Sequence, residues 1–164
     1  MTVRPILRWP DPRLAQACAP VGSVTPEIAR LAADMLETMY AAPGRGLAAP
    51  QVGEMVRLFV MDVNGKDGPR DPRVFVDPVI EARGPETATG PEGCLSIPGI
   101  VAEVARATEI TVAWRDLDGA ERRETLTGFA AICAQHEIDH LDGIVTFDRL
   151  AAEARAALEA EYAA

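Results

Sequence analysis

Apolar positions recur along the chain with two different periods. Ile28, Leu31, Met35 and Met39 are spaced three or four apart, which places them on one face of an α-helix. Thr25-Pro26-Glu27 stands just before them. Thr can accept from free amides, Pro suits the first helical position and Glu complements the helix dipole. A helix is therefore predicted over residues 26 to about 40, with its apolar face inward. Residues 56–63 and 74–80 are β-branched, apolar runs bounded by turn formers and are predicted strands, with residues 64–72 as a surface loop between them. Ile110, Val112 and Trp114 alternate with Thr111 and Ala113, and Asp118-Gly119 offers a tight turn before residues 122–126, the pattern of a hairpin. Helical spacing returns with Phe129, Ile132, Cys133, His136 and His140, and Gly143 is placed to end that segment. The whole predicts an α+β fold, with antiparallel strands packed around a central helix.

Composition narrows the function. The 164 residues suit one domain spanning 1–164, and 48% hydrophobic with 25% charged residues excludes a disordered or coiled-coil chain. No apolar run approaches the ~20 residues of a bilayer span, and the first eight residues lack the apolar core of a secretory signal. A cytoplasmic, membrane-free monomer is expected. A formal charge of -9 repels a phosphate backbone and argues against nucleic-acid partners. The single lysine, Lys66, lies in a polar stretch where it would stay solvated, which argues against Schiff-base chemistry. Three cysteines, Cys18, Cys94 and Cys133, favour thiol or metal chemistry over a disulfide framework.

The strongest chemical signal is His136-Glu137-Ile138-Asp139-His140. On a helix, imidazoles four residues apart face one metal ion, and the Glu beside the first faces water at that ion. The chain has only two histidines, and both are here. A catalytic site of this type uses three protein ligands. Gly143 fits a longer protease motif, but Thr146 stands where its third histidine would be. Glu159 or Glu153 could supply a carboxylate from a terminal stretch that reads as a solvated helix. Cys94, within Glu92-Gly93-Cys94-Leu95-Ser96, could supply a thiolate, or could simply be a small buried hydrophobe.

Three segments in this order resemble the peptide deformylase family: Gly44-Arg45-Gly46-Leu47-Ala48-Ala49-Pro50-Gln51, Glu92-Gly93-Cys94-Leu95-Ser96 and Gln135-His136-Glu137-Ile138-Asp139-His140. The opening Trp9-Pro10-Asp11-Pro12-Arg13-Leu14 is similar as well. The resemblance implies removal of the formyl group from N-formylmethionyl peptides of new chains, with release of formate. It implies Cys94, His136 and His140 as ligands of one divalent ion, expected to be Fe2+, with Zn2+ or Ni2+ as substitutes. It further implies Glu137 as general base and acid, and the Gln51 amide and the Leu95 backbone N–H as oxyanion donors. Gly46 would let substrate backbone approach or simply make a tight turn, and Phe129, Ile132 and Cys133, on a related helical face before His136, could line a slot for the methionine side chain or only pack the core.

Two features depart from the family pattern. Arg45 occupies a position that is usually apolar, and could lay its stem over the slot and reach solvent, contact a substrate carboxylate or carbonyl, or stand as a solvated loop arginine with no catalytic effect. The tail from residue 151 onward sets Arg155 against Glu153, Glu159 and Glu161, so it should not dock on ribosomal RNA. The rival readings are a zinc endopeptidase with a carboxylate ligand, a paralogue acting on other formylated or acylated amines, and a copy that keeps the fold only as a binding module.

Overall fold

The computed structural model describes all of residues 1–164. Helix α1 covers Pro26–Ala41, and the Thr25 hydroxyl caps it by accepting from the Ile28 amide. Strands β1 (Gly46–Ala48), β2 (Leu58–Met61), β3 (Arg73–Arg83), β6 (Glu109–Arg115) and β7 (Glu121–Thr127) form one sheet in the order β1-β2-β3-β6-β7. Every pairing in it is antiparallel. Strands β4 (Thr87–Cys94) and β5 (Ile97–Ala107) form a separate hairpin. Helix α2 covers Gly128–Leu141 and helix α3 Ala152–Ala163.

Alternation in β2 explains the layering. Phe59 and Met61 join a core with Phe75, Ile110, Val112 and the α2 residues Ala131, Ala134, Ile138 and Leu141. Leu58 and Val60 join a second core with Leu31, Met35 and Met39 of α1. All four residues of β2 are buried because the strand is covered by a helix on each face. The α+β arrangement around the motif-bearing helix is as expected. Helix α2 also reaches the hairpin: the Gln135 amide donates to the Ala107 carbonyl, and its oxygen accepts from the Ala107 amide. No helix is long and apolar enough to cross a membrane.

Three elements differ from the sequence reading. The strand expected over 56–63 contracts to Leu58–Met61, because Val56 bridges to Ala19 and Asp62 turns inward to accept from the Tyr40 hydroxyl and the amides of Asn64 and Asp71. The strand expected over 74–80 lengthens to Arg73–Arg83 across a bulge, where Asp77 takes a φ of 49° and its carboxylate accepts from the Val21 and Gly22 amides. The β4–β5 hairpin was not anticipated. Gly90, Pro91 and Gly93 are poor strand formers, yet β4 pairs along its length with β5, whose Ile100, Ala102, Val104 and Arg106 alternate inward.

Candidate metal centre and its cleft

Helix α2 presents His136, Glu137 and His140, and the end of β4 brings Cys94 across to them. One ligand atom from each of Cys94, His136 and His140 lies within 4.8 Å of the others, and no other group of His, Cys, Asp or Glu gathers this closely. The Cys94 Sγ is 3.4 Å from the His140 Nε2. A tetrahedral ion with bonds of ~2.3 Å to sulfur and ~2.0 Å to nitrogen sets sulfur and nitrogen about 3.5 Å apart, so this edge fits such an ion. Burial drives the pKa of His140 well below the ordinary imidazole range, leaving a neutral ring suited to donate its lone pair.

Orientation of His136 comes from behind. Its Nδ1 lies 3.0 Å from the Glu92 Oε1. An ionised carboxylate only accepts, so Nδ1 carries the proton and Nε2 faces the centre. Burial alone would raise the Glu92 carboxyl, but Arg106 and His136 outweigh it and hold it down at about 2. Arg106 is itself buried on β5 and donates to both Glu92 oxygens and to Asp139 of α2. Asp139 also accepts from Arg149. Removing one member of a buried charge cluster leaves its partners uncompensated, at a cost of ~3–5 kcal/mol. Arg106→Met should therefore lower unfolding free energy by about that much in urea titrations, and a change under ~1 kcal/mol would show that the cluster is dispensable.

Glu137 is 2% exposed. Burial pushes its carboxyl up to about 7, with His136 pulling down and Glu92 pushing up; a cation held beside it would draw it down again. A Cβ built on Gly46 would stand 2.7 Å from the Cys133 Sγ and 2.8 Å from the Glu137 Oε2. Gly46 was expected to make room for substrate backbone. The space where its side chain would be is filled by these two protein groups.

Gln51 is 1% exposed in a 3-10 turn after β1. Its Oε1 accepts from the Ala48 amide at 2.9 Å, which leaves Nε2 to donate to the Ser96 hydroxyl at 3.0 Å and to lie 3.8 Å from the Cys94 Sγ. Local backbone bonding and a donor aimed at the centre thus coexist. Leu95 sits between β4 and β5, and its N–H has no backbone acceptor.

A cleft of about 650 Å³ joins Arg45, Gly46, Gln51, Cys94, Leu95, Phe129, Ile132, Cys133, His136 and Glu137, while His140 lies behind it, buried. Strands β1 and β4 each have a single strand neighbour, and residues of both line the cleft. The carboxylates considered as ligands lie elsewhere. Glu159 accepts from Arg155 along α3 and Glu153 is exposed. Thr146 is buried in a 3-10 turn. Sequence reasoning missed Arg106 and Ser96 and gave Glu92 no task. Glu92 stands two residues before Cys94, but nothing local marks Arg106.

The donor set of one thiolate and two imidazoles suits a divalent transition metal, and the residues present fit such an ion. Comparison with known proteins points to one family. The family model described as polypeptide deformylase matches residues 3–156. A peptide deformylase of Rhodopseudomonas palustris (strain BisB5) is 48% identical over 158 residues, covering 95% of this chain and 90% of that one. The structure of a plant peptide deformylase superposes with a TM-score of 0.94 at 34% identity over 99% of this chain and 89% of the other. That of the Legionella pneumophila peptide deformylase gives 0.92 at 38%, over 99% and 94%.

Proposed function

Because the chain belongs to the polypeptide deformylase family and hydrolyses the formyl amide at peptide N-termini, we propose that Cys94, His136 and His140 hold its metal and that Glu137 moves the proton. A bound divalent ion supplies electrophilic activation of the formyl carbonyl and acidifies the attacking water. The observation that carries the reading is one sulfur and two ring nitrogens gathered within 4.8 Å beside a buried carboxylate in an open cleft. Ferrous iron is the expected ion, and zinc or nickel suits the same donors.

Each residue has a task set by its position. Glu137, buried beside the ligand set, accepts a proton from the attacking water and returns it to the departing amine. The Gln51 Nε2 and the Leu95 N–H donate to the oxygen on which negative charge develops, and the bond from Ala48 fixes the Gln51 donor before substrate arrives. Phe129, Ile132 and Cys133 offer an apolar wall to the methionine side chain. Strands β1 and β4 offer backbone groups to an extended peptide. Docking through the C-terminal helix receives no support from its charge, since Arg155 is engaged by Glu159 and Asp148.

The test is direct. Chain purified anaerobically with ferrous iron should release formate from a short formyl-methionyl peptide. Absence of turnover with one ion bound per chain would refute the assignment and favour a different formylated or acylated amine.

A further inference from the structure

We infer that Arg45 determines substrate specificity by binding a carboxylate on the peptide that follows the formylated residue. The inference rests on the deformylase reading and deepens it. Among the side chains lining the cleft that bear full charges, Arg45 is the one exposed to solvent; Glu92, Arg106 and Glu137 are buried. The other three cannot serve a passing ligand, because Arg106 is saturated by Glu92 and Asp139, Glu92 is held by Arg106 and His136, and Glu137 is committed to the reacting centre.

Arg45 is held rather than free. Its carbonyl accepts from the Asp62 amide at 2.8 Å. Asp62 is fully buried, and its carboxylate shapes the adjoining loop by accepting from Tyr40, Asn64 and Asp71. In that loop Gly65, at a φ of 55°, leaves the space in which the Arg45 stem lies: a Cβ there would be 3.1 Å from the Arg45 Cγ and 3.3 Å from its Nε. The guanidinium lies 5.2 Å from the centroid of Phe129, a ring of the proposed methionine wall, and donates to Asp67 at 3.1 Å. A side chain with its stem cradled and its head over an aromatic ring has little freedom left to lose on binding.

Asp67 keeps the guanidinium neutralised until substrate arrives. Its side chain is 64% exposed and that of Arg45 is 44% exposed, so the pair contributes only ~0–1 kcal/mol and is readily exchanged. A substrate carboxylate can take over the guanidinium through two parallel N–H donors. That carboxylate can come from an acidic side chain after the formylated residue or from the free C-terminus of a very short formyl peptide.

The experiment measures kcat/KM of the iron-loaded chain on C-terminally amidated formyl-Met-Glu and formyl-Met-Gln, and on formyl-Met-Ala as free acid and as amide. Wild type should favour Glu over Gln about fivefold at low salt, the upper range for an exposed pair, through KM rather than kcat. The ratio should shrink toward one in 0.5 M salt. Preference for the free acid alone would assign the terminal carboxylate as ligand; preference within the amidated pair would assign the side chain. Arg45→Met should abolish the ratio, Arg45→Lys should keep part of it, and Asp67→Asn should enlarge it by removing the competitor. Turnover of all four peptides with ratios near one in wild type, or a ratio unchanged in Arg45→Met, overturns the inference and leaves the deformylase reading intact. No turnover of any peptide overturns the deformylase reading itself. If Arg45→Met fails to fold, Asp67→Asn and the salt series still decide.

Discussion

Glu137→Gln is expected to lower kcat/KM for a formyl-methionyl peptide by about 10²–10⁴-fold while leaving bound metal unchanged. The amide matches the carboxylate in shape, so its packing behind Gly46 survives. What is lost is a group that can take a proton near neutral pH and give it back. Burial raises the carboxyl above the ordinary carboxylate range and a cation held beside it draws it down again, so the two together set its hold on the proton. Paired measurements of turnover and metal content check this. A variant retaining more than about a tenth of wild-type activity would mean that the proton travels by another route.

Cys94→Ser is expected to weaken metal binding by well over ~100-fold, more than loss of a residue that merely supports a ligand costs. A hydroxyl is a poorer ligand than a thiolate, and the remaining imidazoles give an incomplete set. Glu159→Gln is the control: Glu159 is engaged with Arg155 on another helix, so metal content should not change. Full occupancy in Cys94→Ser, with loss in Glu159→Gln, would reinstate the carboxylate-ligand protease.

The helix ends, the hairpin turning at Asp118-Gly119 and the pairing of His136 with His140 on one helix face were legible because each depends on neighbours in the chain. Thr25-Pro26-Glu27 opens α1 at the residue expected, and Asp118-Gly119 makes its turn with Gly119 at a φ of 81°. The β4–β5 hairpin was hidden because Gly90, Pro91 and Gly93 disguise a strand whose hydrogen bonds come from a partner of better propensity. Arg106 was hidden for the opposite reason. It interrupts an apolar alternation on β5, and its burial is intelligible only once Glu92 and Asp139 arrive from two other elements. A second constraint on Gly46 was not legible, because the sequence cannot show that Cys133 and Glu137 occupy the volume its side chain would take. Cys94 itself remained ambiguous on local grounds, since its partners lie 42 and 46 positions away.

Strands β1 and β4 each have one neighbour beside the cleft, and this sets a schedule for the client chain. A peptide read through its main chain must arrive with amides and carbonyls unclaimed, which holds only before its own first residues fold or dock. On the proposed main-chain reading the enzyme would have a time window: a formyl group on a finished, folded product would be out of reach until that terminus comes loose.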